Sequence, residues 1–269
     1  MGKLLERDTL NLIRERKEDS SKGDFGLLLT LCGSENMTGA AYLSATAALR
    51  SGVGLLRFCG NSATLDKMQR ILFEPIFLPL DEFSFDRASA FLCGCGIGRV
   101  YDPHLEQILI NSSIPTVLDA DCINFLAMHK DVLGKLKCPL ILTPHPGEMS
   151  RLLGLEIEQI QANREQIAID FAKQHGLYLI LKGKNTVVAC PDGDVFINTT
   201  GSSALAKGGS GDVLAGVISS LIAQGYEIKD ACRIGVYIHG LAGDRLAEKY
   251  GKSGVLPSDL PAEIGRILG

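Results

Sequence analysis

Short apolar runs punctuate the chain, each closed by glycine, cysteine or a polar residue, and segments of mixed polarity separate them. Runs of this kind at 26–32, 53–59, 73–78, 88–93, 115–118, 139–143, 177–181, 186–190 and 194–198 read as strands. The segments between them carry helical spacing. Residues 4–16 set Leu4, Leu5, Leu12 and Ile13 among charges, the pattern of an amphipathic helix, and the polar stretch 17–24 leads on to the first strand. Residues 40–51 form an alanine-rich helix stopped by Gly52. Further helices are read over 103–110, 157–173, 212–223 and 230–250, with a short one after Ser258. Strands that are apolar on both faces and alternate with helices imply a parallel sheet covered on both sides. The turn Pro191-Asp192-Gly193 joins the last two strands antiparallel. The expected fold is α/β, a mostly parallel central sheet flanked by helices on both faces, with a β-hairpin. No linker or repeat interrupts the pattern, so residues 1–269 read as a single domain.

Composition narrows the classes without adding a site. Hydrophobic residues make up 46% of the chain, and a chain of this length buries roughly 75% of its unfolded surface. It therefore needs no metal or disulfide to hold it together. The net charge of −4 offers no basic field for nucleic acid. No apolar run approaches the ~20 residues of a membrane span, and no secretory or myristoylation signal opens the chain, so a cytoplasmic location is expected. The eight cysteines contain no Cys-x-x-Cys pair and are expected to be free and structural. Cys93 and Cys95 would share one side of an extended strand, which hints at a thiol pair.

The thirty glycines change the picture more, because they fall at the ends of the apolar runs. In open α/β sheets, ligands bind beyond the carboxyl ends of the strands. The unusual residues gather there: Gly33-Ser34, Gly94 to Gly98, Asp119 to Asp121, His145 to Glu148, Lys182 to Thr186 and Gly208 to Asp212. The last group, Gly208-Gly209-Ser210-Gly211-Asp212, precedes an apolar helix. Amides at a helix start have no internal partner, and glycines let an anionic oxygen approach them. An Asp in the first turn can take the proton of a hydroxyl placed beside a phosphoryl group. A serine cap with a dipole-favoured aspartate would explain Ser210 and Asp212, but not three glycines. The loop lacks the lysine of a Walker A motif.

The other loops permit two readings each. Lys182 and the Gly183 backbone can hold nucleotide phosphates, or 182–186 can be an ordinary hairpin turn. Pro146 and Glu148 suit the start of a helix on capping grounds that require no histidine. His145, fixed between Pro144 and Pro146, is read as a substrate contact. Asp119 can bind Mg²⁺ through water or serve structurally, while Asp121 is read as a cap for a helix starting near Cys122. His104, His129, His175 and His239 are read as structural, with His239 at a helix contact. Together these observations imply an enzyme that moves a nucleotide phosphoryl group onto a small-molecule hydroxyl, with Asp212 at its centre.

The chain resembles the ADP- or ATP-dependent (S)-NAD(P)H-hydrate dehydratases of the ribokinase-like superfamily. The markers are Lys22-Gly23-Asp24-Phe25-Gly26, Gly39-Ala40-Ala41, Leu118 to Asp121, Leu142 to Glu148, Leu181-Lys182-Gly183, Gly208 to Gly216 and Tyr237 to Asp244. The resemblance implies phosphorylation of the ring hydroxyl of hydrated NADH or NADPH, followed by loss of phosphate. It implies ADP, the donor of most bacterial forms, or ATP, with Mg²⁺ held by phosphates, and a homo-oligomer, often a tetramer. Asp212 would be the base, with Gly209, Ser210 and Gly211 stabilising the transferred group. Ala40, Gly96, His145 and Asp212 would contact the hydrated dinucleotide. Lys182, Gly183, Lys184, Asn185, Thr186 and Gly211 would contact the donor. The chain departs from the family pattern at Ser202 to Leu205, at Lys207 and at Cys95, and it has no room for the epimerase domain fused in many bacterial members. A kinase for a vitamin precursor, hydroxyethylthiazole or hydroxymethylpyrimidine, would keep the same glycine loop. A non-catalytic nucleotide sensor would not need Asp212.

Overall fold

The computed structural model describes residues 2–98 and 104–269. Among these, ten strands form one sheet: β1 Lys3–Leu5, β2 Leu27–Leu31, β3 Leu55–Gly60, β4 Ile76–Pro79, β5 Ala90–Cys93, β6 Thr116–Leu118, β7 Leu140–Leu142, β8 Tyr178–Leu181, β9 Val187–Ala189 and β10 Val195–Asn198. Across the sheet they run β1-β10-β9-β8-β7-β6-β5-β2-β3-β4. All neighbours are parallel except β9, which is antiparallel to β8 and β10. The helices are α1 Thr38–Arg50, α2 Ser62–Met68, α3 Leu105–Ile110, α4 Asp121–Met128, α5 Lys130–Leu133, α6 Pro146–Leu153, α7 Ile157–Ala162, α8 Arg164–His175, α9 Ser210–Ala223, α10 Ile228–Tyr250 and α11 Leu260–Leu268.

Alternation along the strands divides the core into two layers. Leu28, Leu92, Val117, Ile141 and Ile180 face α1, α2, α9, α10 and α11. Leu29, Phe91, Leu118, Leu142 and Leu179 face α3 to α8. The predicted mostly parallel sheet with helices on both faces is therefore the one observed. Strand order reverses between β2 and β5: the chain steps outward through β3 and β4, then returns to β5 and proceeds the other way. Connections that diverge from adjacent strands leave a crevice at their carboxyl ends.

Three sequence readings need correction. Residues 4–16 are not one helix. Lys3–Leu5 pair parallel with Phe196 to Asn198 of β10, and a 3₁₀ turn, Arg7–Leu12, follows. Leu5 is 1% exposed and Leu4 58%, the two-faced alternation of a strand. The unpaired edge of β10 decided this, and local spacing carries no trace of it. The long helix over 157–173 is two helices, broken at Asn163, which leaves helical geometry at φ −132°, ψ 37°. The thiol pair is Cys93 with Cys122, Sγ to Sγ 3.2 Å, not Cys93 with Cys95. Gly94, at φ +117°, turns the chain between the latter two, and all eight cysteines are free. Helices α2 and α5 were not foreseen; Asn61, whose side chain accepts from the Thr64 amide, is the cap that marks α2. The start of the helix read at Pro103 lies outside the described residues.

The layer carrying the site depends on close contact between α1 and α9. A Cβ at Gly216 would lie 2.2 Å from the Ser44 carbonyl oxygen, while one at Gly39 would meet nothing within 4 Å. Gly216→Ala should therefore lower stability by about 1–3 kcal/mol in urea unfolding, and Gly39→Ala should be neutral or slightly stabilising.

Candidate active site

The site forms at the carboxyl edge, on either side of the reversal. Loops after β2 and β5 are tied together where the Gly33 amide donates to the Cys95 carbonyl, 2.7 Å. Ala40, in the first turn of α1, meets Gly96: a Cβ on that glycine would sit 2.7 Å from Ala40 Cβ. Two residues predicted to contact substrate thus adjoin in the crevice. Asp121 does not act as the helix cap expected of it. The cap position is Ala120, and Asp121 Oδ2 instead accepts from the Gly98 amide, 2.9 Å, closing the glycine loop.

The glycine loop leads into α9 as anticipated, with one difference. Ser210 is the first helical residue and not the cap. The cap is Gly209 at φ +105°, and no side chain caps the helix. The serine-cap explanation therefore fails, and the start of α9 is left to be satisfied from outside the helix. His239 of α10 supports the loop from behind: its Nε2 lies 2.9 Å from the Ser210 carbonyl oxygen. Burial pushes this imidazole down to about 4, so it is neutral at physiological pH. Lys207 is absorbed structurally, donating to the carbonyls of Ser253 and Val255 at 2.7 and 2.6 Å.

Asp212 projects from the first turn of α9 toward two other groups. Its carboxylate, the Asp119 carboxylate and the Cys95 thiol have atoms within 4.8 Å of one another. Burial, then the negative charge of Asp119, raises the Asp212 carboxyl to about 6. Lys182 opposes that rise. Its Nζ donates to Asp119 Oδ1 at 2.6 Å and lies 3.9 Å from Glu148 Oε2. Asp119, 1% exposed, also accepts from Thr143 Oγ1 at 2.7 Å, and Cys95 Sγ lies 3.7 Å from its Oδ2.

His145 ends this chain of contacts. Its Nδ1 accepts from the amides of Gly147 and Glu148, at 3.0 and 3.3 Å, and its own amide donates to Glu148 Oε2 at 2.7 Å. The imidazole is itself the cap of α6, so capping does involve the histidine here. With Nδ1 occupied as an acceptor, the ring proton sits on Nε2. Burial, then Lys182, lowers the imidazole's affinity for a second proton. His145 is half exposed, and its Nε2 lies 3.4 Å from Glu148 Oε1. Burial raises Glu148 to about 7.

Residues 183–186 stand apart from this cluster. Lys184 and Asn185 are exposed, Thr186 Oγ1 donates to the Gly183 carbonyl at 2.9 Å, and Arg164 of α8 braces the loop through the Leu181 and Lys182 carbonyls at 2.8 and 3.3 Å. Lys182 thus turns inward while its neighbours face out. Sequence reasoning missed Cys95, Thr143, Arg164 and the burial of Glu148; only Cys95, set between Gly94 and Gly96, carried a local signal.

The acidic groups do not make a Mg²⁺ cage. That ion takes octahedral oxygen ligands, whereas here one corner is a thiol and Asp119 is already engaged by an ammonium and a hydroxyl.

The sequence profile of the NAD(P)H-hydrate dehydratase family, Carb_kinase, matches residues 28–266. The chain belongs to that family. It is 38% identical over 258 residues to the ADP-dependent (S)-NAD(P)H-hydrate dehydratase of Neisseria meningitidis, covering 93% of this chain and 87% of that protein. It is 38% identical over 266 residues to the bifunctional NAD(P)H-hydrate repair enzyme of Moorella thermoacetica, covering 91% of this chain but 49% of the relative. The chain thus spans about half the length of that bifunctional protein. The structure superposes with a TM-score of 0.86 on the ADP/ATP-dependent NAD(P)H-hydrate dehydratase of Bacillus subtilis co-crystallised with ATP and Mg²⁺, at 30% identity, covering 96% of this chain and 94% of the other. The fold is the ribokinase-like one that the family resemblance implied.

The strained acidity of Asp212 has a consequence for stability. A carboxyl raised from 3.8 to about 6 binds protons more tightly folded than unfolded, so stability falls as pH rises through that window. Asp212→Asn should stabilise the fold at pH 8 by roughly 2–3 kcal/mol, two units at about 1.4 kcal/mol each. The gain should shrink toward zero near pH 4, as read by thermal melts across pH.

Proposed function

We propose that the chain dehydrates the S-form of hydrated NADH or NADPH, using ADP or ATP as phosphoryl donor. The observation that carries this reading is Asp212. It is a carboxylate of raised basicity on the first turn of an uncapped helix, beside the crevice formed by Ala40 and Gly96. Asp212 takes the proton of the ring hydroxyl. Its oxygen bonds to the donor's terminal phosphorus, and the bond to the remaining nucleotide breaks, releasing AMP from ADP or ADP from ATP. The amides of Gly209 and Gly211 face charge on the moving group, while the Ser210 amide donates to the Lys207 carbonyl and shapes the turn. The ring-nitrogen lone pair then expels phosphate, and loss of a proton from the adjacent ring carbon to that phosphate restores the dihydronicotinamide. The product is the reduced dinucleotide, the outcome of a carbon–oxygen lyase.

Within this reading His145 donates from Nε2 to the hydrated dinucleotide, and the outward-facing Gly183, Lys184, Asn185 and Thr186 meet the donor's nucleoside portion. ADP as the preferred donor is supported by the Neisseria relative, and Mg²⁺ travels with the phosphates. One sheet running through the described residues supports reading the chain as a single domain. A homo-oligomer, the state the family resemblance implies, would have apolar surface at Phe73 and Ile76 near the open β4 edge. A cytoplasmic setting suits a dinucleotide substrate, and no helix of the described residues is long and apolar enough to cross a membrane.

Incubation with hydrated NADH, ADP and Mg²⁺ should regenerate dihydronicotinamide absorbance and release inorganic phosphate in equal amounts, with no phosphorylated dinucleotide accumulating. A vitamin-precursor kinase would leave phosphate on a stable alcohol. A persistent phosphomonoester of a thiazole or pyrimidine alcohol, with no action on hydrated NADH, would overturn the dehydratase reading. Asp212→Asn should cut turnover about 10²–10⁴-fold while donor binding persists. The wild-type rate should fall below pH ~6, where Asp212 becomes protonated.

A further inference from the structure

We infer that a cavity at the ends of β3 and β4 seats the adenosine end of the dinucleotide substrate. The inference rests on the functional reading above and extends its site to the far half of that substrate. The cavity, about 810 Å³, opens beside Gly60 at the end of β3 and Pro79 at the end of β4. It is lined by α3 and by the segment that returns from β4 to β5. Its position picks the occupant. Along the sheet the order is β8, β7, β6, β5, β2, β3, β4, and α9 packs against β5 and β6. The loop after β8 and the glycine loop therefore lie on one side of the crevice between β5 and β2, and the cavity lies on the other. Strands stand about 4.8 Å apart, so two spacings, about 10 Å, separate crevice and cavity. A dinucleotide carries its two bases on riboses joined by a diphosphate. With the nicotinamide ring in the crevice and the donor on the β8 side, the adenosine is left the β3 side. The two places also share a border: a Cβ on Gly33, in the loop after β2, would lie 3.2 Å from Thr64 of α2, the helix that follows Gly60.

The lining suits an uncharged base. Phe83 and Phe85 meet edge to face, with ring centroids 5.0 Å apart, and each does the same with the fully buried Phe91, at 5.6 and 5.4 Å. Both outer rings are half-buried, so they are fixed from behind and still present surface to the cavity. Gln107 and Asn111, one turn apart on α3, supply amide donors and acceptors, and Asp81 supplies a carboxylate. The described lining residues include no lysine or arginine. A phosphate would meet no such counter-charge there. A purine offers a face for the aromatic rings and an edge of donors and acceptors for the amides.

Hydrated NADH and hydrated reduced nicotinamide mononucleotide, which lacks the adenylate, separate the two halves of the site. Phe83→Ala should lower kcat/KM for hydrated NADH about tenfold, the loss expected for one stacked base. Gln107→Trp should do the same by filling the cavity, and because Gln107 is exposed it keeps the test available if Phe83→Ala fails to fold. Both variants should leave kcat/KM for the mononucleotide and the KM for ADP within about twofold of wild type. Calorimetric titration with NAD⁺ and with nicotinamide mononucleotide, AMP being present to fill the donor's nucleoside site, reads the same contrast without turnover. NAD⁺ should bind both variants more weakly, and the mononucleotide should bind them as it binds wild type. Equal losses on the two substrates, or no loss on either, would overturn the inference. A raised KM for ADP with unchanged kcat/KM for hydrated NADH would overturn it as well and give the cavity to the donor. Wild-type protein inactive on both hydrated nucleotides would instead refute the dehydratase reading on which the inference stands.

Discussion

One ammonium serves three carboxylates at the carboxyl edge of this sheet. Asp119 ends β6, Lys182 ends β8, and the two meet at 2.6 Å across the intervening β7, which supplies Thr143 to the same carboxylate. A buried carboxylate deprived of its counter-charge is strongly destabilising, so these three strands must end at one level. Much else follows from that requirement. At Gly211 a Cβ would crowd the end of that lysine, 3.2 Å from its Nζ. Asp212 inherits its acidity from the balance between burial, Asp119 and Lys182. Glu148, at the edge of the same charge, is pushed up to about 7 by burial.

Two helices direct their starts toward this cluster and resolve their free amides in different ways. At α6 the His145 ring accepts from two amides while Glu148 accepts from the His145 amide, so the helix start is closed by its own residues. At α9 a glycine occupies the cap and no side chain reaches back. Helix starts attract anions through unsatisfied amides and the local dipole. Of the two, only α9 lacks a closing side chain, its Ser210 amide donating instead to the Lys207 carbonyl. The reversal of strand order between β2 and β5 adds the crevice where Ala40 and Gly96 meet. The glycine loop and this crevice thus sit at neighbouring strand ends of one sheet.

The parts legible in the sequence were those whose signal is local. A strand buried on both faces is apolar at every position, so β2, β5, β6, β7 and β8 announce themselves whatever their partners. Glycines and charged residues stand out where such runs stop, and the loops at Gly94 to Gly98, His145 to Glu148 and Gly208 to Asp212 were visible for that reason. The parts that were not legible depend on distant segments. β1 is a strand because β10 leaves an edge unpaired, although its own spacing suits a helix. The break at Asn163 lets α7 pack beside α6 while α8 covers β8 and braces the loop after it.

The sequence alone determined the layers and the chemistry-bearing loops, because polarity, glycine and helix-start preferences act over a few residues. Tertiary structure decided what each of those groups is for. Lys182 looks like part of an exposed turn until β6 and β8 bring Asp119 against it. Cys95 looks like the partner of Cys93 until Gly94 turns it toward Asp212. His145 looks unconnected to helix capping until its Nδ1 accepts from the first amides of α6. Charge, tautomer and acidity are set by what lies within a few ångströms, and in a parallel sheet those neighbours come from strands far apart along the chain.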